Sequence, residues 1–200
     1  MTGSGDVSPA DAPLTPGPPG DQPQAADADT AAGAAGEGGT RRRHQWTALA
    51  GFTAVTGAAA AAGVLAGPGH SESMRWYRSL AKPPFQPPAA AFGPVWTGLY
   101  AAIAVSGWRV WRRPDSPDRT RALRLWAAQM AANAAWTPLF FGARRTVLAL
   151  ADLSALLTSA AGYTRAAARV DPPAAALMAP YLGWTAFAGV LNAEIIRRNR

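Results

Sequence analysis

Trp126, Gln129, Asn133, Trp136 and Phe140 recur at intervals of three and four residues, so on a helix they share one face. Tyr181, Trp184, Ala188, Leu191 and Ile195 repeat that spacing further along, and Trp96 and Tyr100 lie one turn apart. If these faces converge, they enclose a pocket with flat aromatic walls and few polar groups, suited to a large, flat, apolar ligand such as a tetrapyrrole or a sterol. The same spacing also describes packing seams and the aromatic belts of membrane helices, and periodicity alone leaves both readings open.

Asp152 is the one carboxylate well inside an apolar run, where a charge is expensive unless it is paired or faces a cavity. It reads either as a functional group or as a structural one bonded to Asn133, Gln129 or the backbone. Catalytic templates are otherwise missing. There is no cysteine, and the two histidines, His44 and His70, fall outside the apolar runs, so no metal or haem-iron site is expected within them. No nucleophile set, phosphate loop or dinucleotide fingerprint is present, and no cofactor is called for.

The elements that must position these residues follow from composition. Residues 1–40 are rich in Gly, Pro and Ala, hold Asp6, Asp11, Asp21, Asp27, Asp29 and Glu37, and contain no Lys or Arg. Such a segment buries too little apolar surface to offset its ordering and is expected to be a disordered acidic tail. All nineteen basic residues therefore fall in residues 41–200. They cluster at the ends of apolar runs instead of along one face, which favours a membrane protein over a nucleic-acid partner.

Five apolar runs are long enough to cross a hydrocarbon core of about 30 Å. They cover about residues 46–67, 92–111, 120–141, 146–168 and 174–196, with Pro114–Asp118 and Gly142–Arg145 as short turns. The fold class is thus an all-α integral membrane protein, with 41–200 as one bundle of five transmembrane helices in the cell membrane. Between the first two runs, Pro83, Pro84, Pro87, Pro88 and Pro94 crowd a stretch too apolar for a solvated linker. No ordinary helix is expected from Arg75 to Phe92; the stretch reads as a structured cover over something apolar.

Several ordered motifs resemble the tryptophan-rich sensory protein and translocator protein family. They are Trp76-Tyr77-x-x-Leu80-x-Lys82-Pro83-x-Phe85-x-Pro87-Pro88, Phe92-Gly93-Pro94-Val95-Trp96-x-x-Leu99-Tyr100, Gln129 with Asn133 and Trp136, and Phe140-Phe141-Gly142-Ala143-Arg144. Ala149-Leu150-Ala151-Asp152-Leu153, Pro180-Tyr181-Leu182-Gly183-Trp184 and Leu191-Asn192 continue the match. The resemblance implies a five-helix membrane protein, often a homodimer, whose Pro-rich first loop folds over a pocket that binds porphyrins, and in some members cholesterol or benzodiazepine-type drugs.

Carried onto this chain, the implied ligand-binding positions are Trp76, Tyr77, Phe92, Trp96, Asn133, Trp136, Trp184, Ala188 and Leu191. Trp96 and Trp184 match tryptophans tied to light-dependent porphyrin breakdown, an enzymatic alternative to sensing or carriage. Phe85 stands where the family usually has Trp, Leu148 where animal relatives have an aromatic, and Ala193 where the animal cholesterol motif has Tyr. These departures favour a porphyrin over a drug or a sterol.

Overall fold

The computed structural model describes, besides Thr2, residues 43–61 and 71–200. The tail expected over residues 1–40 and the end of the first expected span, residues 62–67, lie outside the described residues. What is described is helical: α1 (43–61), α2 (Ser71–Ser79), α3 (Ala89–Trp111), α4 (Pro117–Thr137), α5 (Thr146–Val170), α6 (Pro172–Ala176) and α7 (Ala179–Arg198), with a π-helical turn at Pro138–Gly142. Three of these stretches, Ala89–Trp111, Thr146–Val170 and Pro172–Arg198, are long and apolar enough to cross a membrane. α4 carries Asp118, Arg119, Arg121 and Arg124 in its first two turns and is not one of these three.

The helix ends follow local chemistry and correct several expectations. α2 contains Trp76 and Tyr77 in regular helix, whereas no helix was expected there. The reason is positional: every proline of the stretch lies beyond Ser79, so none interrupts the helix or removes a donor from it. α3 begins at Ala89, immediately after the Pro87-Pro88 pair, which puts Pro94 in its second turn and not its first. The turn expected at Pro114–Asp118 is shorter, because Ser116 caps α4 by accepting from the Arg119 N–H at 3.1 Å and Pro117 occupies the first helical position. The fifth run is two pieces, α6 and α7, joined through Leu177 and Met178, with Pro180 unable to donate back to the preceding turn.

α4 and α5 form the most extensive pair, α7 packs on α5, and α3 lies against α4, α6 and α7. The core runs through Ile103, Val110, Met130, Leu156, Tyr163, Met178 and Tyr181. α1 docks through Phe52, which meets Trp126 edge-on with ring centroids 4.8 Å apart. That approach needs Gly107: a Cβ there would sit 2.6 Å from Trp126 Nε1 and 2.9 Å from the Phe52 ring. The Trp126 indole N–H donates to the Ile103 carbonyl at 3.1 Å, wedging α4 against the α3 backbone.

Opposite the π turn, the bundle is tied by charge. Arg109 in the last turn of α3 and Arg113 just beyond its end donate to the two oxygens of buried Asp171 at 3.1 and 2.9 Å. Asp171 also caps α6 through the Ala174 N–H at 3.3 Å. Burial works to raise the Asp171 pKa, but the two guanidiniums and this N–H outweigh it and hold the carboxyl below its usual value. Beside it, Ser106 donates to the Ala174 carbonyl at 2.7 Å; its only proton is thereby used, so the Tyr163 hydroxyl, also at 2.7 Å, is the donor to Ser106.

Candidate functional site

Pro138 has no N–H to close an α-helical turn, so α4 widens into the π turn, held by the Ala143 N–H to the Pro138 carbonyl at 2.8 Å. The wide turn carries Phe140, which is buried, and Phe141. Both were expected in a continuous helix; Phe140 is on the aromatic face read from spacing, Phe141 is not, and neither is among the positions the resemblance implies. α2 lies directly over them. Trp76 meets Phe140 edge-on at 5.6 Å between centroids, and Tyr77 meets Phe141 edge-on at 5.3 Å. Trp136 stacks on Phe140 at 5.0 Å with planes 19° apart. Leu191, Ile195 and Ala149 close this first aromatic group from α7 and α5.

The lid is fastened from three sides. Lys82 Nζ lies 4.7 Å from the centre of the Tyr77 ring. The side-chain amide of Asn199 accepts from the Ala81 N–H at 2.9 Å and donates to the Ala81 carbonyl at 3.0 Å. Arg144, on the far side of the π turn, reaches Glu72 at the start of α2 at 3.6 Å. Burial raises the Tyr77 phenol above its ordinary pKa, with the neighbouring Gln86 side chain working weakly the other way, so the hydroxyl stays neutral.

A second aromatic group joins α3 to α7. Phe92 meets Trp184 edge-on at 5.7 Å, Trp96 stacks on Tyr100 at 5.2 Å and lies edge-on to Tyr181 at 6.5 Å. Trp184 continues to Phe187 at 5.7 Å, and Phe187 meets Phe85 of the Pro-rich loop at 6.4 Å. Ala188 packs half-buried beside it. Asn133 pins this group from α4: its Oδ1 accepts from the Tyr100 hydroxyl at 2.7 Å, and its Nδ2 donates to the Tyr181 oxygen at 3.0 Å.

All nine expected site residues thus fall into these two groups, with Trp136 in the first and also packed on the bundle core. The spacing places Tyr100, Phe140 and Tyr181 on the aromatic faces though not among the implied ligand-binding positions, and Phe141 and Phe187 are in neither set. Phe187 had a signal, since it follows Trp184 by three residues on the same helix face. Of the two readings of Asp152, the structural one finds neither Asn133 nor Gln129 as a side-chain partner among the described residues. Asn133 spends its amide on the two tyrosines, and Gln129, fully buried, makes no side-chain hydrogen bond among the described residues. Asp152 Oδ2 is likewise buried and unpartnered among them, as are the polar side-chain atoms of Thr185 and Asn192. No three His, Asp or Glu side chains gather into a metal-binding group among the described residues.

This arrangement stacks and encloses; it carries no acid–base pair aimed at a common point. Comparison with known proteins agrees with its character. The sequence model of the TspO/MBR family matches residues 51–198. The translocator protein of Bos taurus is 43% identical over 131 residues, covering 64% of this chain and 78% of that protein. The translocator protein of Homo sapiens is 42% identical over 132 residues, 65% of this chain and 78% of the other. The tryptophan-rich sensory protein of Cereibacter sphaeroides is 36% identical over 154 residues, 77% of this chain and 92% of the other.

Proposed function

Because the chain belongs to the TspO/MBR family of membrane proteins, we propose that it is a sensor or carrier that binds a porphyrin-type tetrapyrrole between α2, the π turn and the facing surfaces of α3 and α7. In this reading α1, α3, α4, α5 and the α6–α7 run are the five spans of the bundle, and two copies associate as a homodimer in the cell membrane. The observation that carries it is Trp136, whose indole stacks on Phe140 at 5.0 Å and also packs on the bundle core against which Trp96, Tyr100 and Trp184 pack, so that flat ring faces gather where a macrocycle would lie. Offset stacking on indole and phenyl faces suits a planar macrocycle and asks little of polar groups.

The test is a titration of the purified full chain with protoporphyrin IX, followed by tryptophan quenching. Saturable quenching that Trp136→Ala weakens by about tenfold or more supports the reading; unsaturable quenching, or an unchanged affinity in the variant, removes it. The stacking of Trp96 on Tyr100, whose hydroxyl already has an acceptor in Asn133, favours a second reading. There, Trp96 and Trp184 are redox partners of bound porphyrin, which in the light loses electrons to oxygen as the acceptor. Equal bleaching rates of illuminated porphyrin in air with and without protein would set it aside.

A further inference from the structure

The first turns of α4 face an open depression of about 870 Å³ lined by Asp115, Ser116, Pro117, Thr120, Arg121, Arg124 and Leu125. It lies at the end of α4 away from the π turn and shares no residue with the aromatic site. The acidic side chains nearest it in sequence already have partners. Asp115 is paired with Arg119, and Asp118 with Arg169 at 3.5 Å. Arg119 is further held by the Trp111 carbonyl at 2.7 Å. Arg121 and Arg124 make no ion pair among the described residues, and both are exposed.

Their depth makes this costly. α3 ends at Trp111 and five residues later α4 begins, so the start of α4 lies at the same membrane surface as the end of α3. At about 1.5 Å per residue, Arg124 lies roughly 10 Å along α4 from Pro117, toward the hydrocarbon. A guanidinium at that depth must snorkel or meet an anion. Leu125 gives the depression an apolar side, while Ser116 and Thr120 give it hydroxyls at the surface end.

We propose that this depression is a binding site for an anionic glycerophospholipid, with the phosphodiester held by Arg121 and Arg124 and an acyl chain running past Leu125. A planar guanidinium fits two phosphate oxygens at once, and two such groups one turn apart span a phosphodiester. The Asp115 carboxylate on the rim is neutralised by Arg119 and does not repel the headgroup.

The experiment is native mass spectrometry of the full chain in detergent, titrated with phosphatidylglycerol or phosphatidylcholine of the same acyl chains. The expected result is one lipid bound per chain with at least tenfold preference for phosphatidylglycerol. Arg121→Gln/Arg124→Gln abolishes the preference, while Arg145→Gln/Arg200→Gln, which removes equal charge from two other exposed arginines, keeps it. Both arginines of the first pair are exposed, so an unchanged melting temperature shows that the variant is folded. Equal affinity for the two lipids, a preference that survives in the first variant, or one lost equally in the second overturns the proposal. Displacement of the lipid by inorganic phosphate at matched concentration also overturns it, because the site would then hold a free anion.

Discussion

The Asn199 side chain and the Ala81 backbone form a two-way hydrogen-bonded pair, N–H to Oδ1 at 2.9 Å and Nδ2–H to the carbonyl at 3.0 Å, joining residues 118 positions apart. The pair fastens the end of α7 to the loop that continues the lid. Asn199→Ala removes both bonds, each worth about 1 kcal/mol net. Hydrogen exchange of the amides from Trp76 to Gln86 should quicken by about tenfold, and bound porphyrin should dissociate faster. Unchanged exchange in that segment would show that the latch holds nothing.

Phe140 touches Trp76, Tyr77, Trp136 and Phe141 and is buried, whereas Phe85 is 46% exposed and meets a single ring. Phe140→Ala is expected to cost about 3–4 kcal/mol in thermal unfolding of the detergent-solubilised protein, and Phe85→Ala well under half of that. Equal costs would mean that the lid does not rest on Phe140.

Gly107→Ala sets two effects against each other. Alanine favours the α-helix over glycine by about 1 kcal/mol. Its Cβ, however, would lie within 3 Å of both Trp126 and Phe52, so the indole must leave the Ile103 carbonyl. Overpacking at about 1–3 kcal/mol plus a lost bond outweighs the gain. Net destabilisation of about 1–2 kcal/mol is expected, with a changed emission spectrum from Trp126. A stabilised variant would show that α1 does not seat there.

Asp171 gives the fold a pH dependence with a definite sign. Its carboxyl is held below the ordinary aspartate pKa, so its contribution to stability is fully present above about pH 4. The contribution is lost as pH falls through the lowered folded value. Asp171→Asn should cost about 2 kcal/mol at pH 7, since Arg109 and Arg113 are partly open to solvent. The variant should also flatten the acid side of the melting-temperature profile. A profile that keeps the wild-type acid slope would assign that slope to other groups.

The motif residues were legible because most of them pack through ring faces, and their spacing survives in a bare sequence: Trp96 with Tyr100, and Asn133 with Trp136, lie where three- and four-residue intervals put them. α2 was hidden by the prolines that follow it, whose influence reaches one residue back and not eight. The start of α4 was hidden because Ser116-Pro117-Asp118 is as good a turn as it is a helix cap. The partners of Asn133 could not be read, since hydrogen bonds from α4 to α3 and α7 depend on helix rotation, which periodicity leaves free.

Pro138 has a consequence for how the pocket works as a container. Pro138 cannot donate to the preceding turn, and the wide turn after it is closed by the Ala143 N–H on the Pro138 carbonyl, so the surface presented by Phe140 and Phe141 is set by the backbone. The roof is fastened only by side chains, through Asn199, Lys82 and Arg144. Under the proposed function, a ligand would pass a cover held by side chains and meet a base held by backbone, and its selectivity would reside in that base.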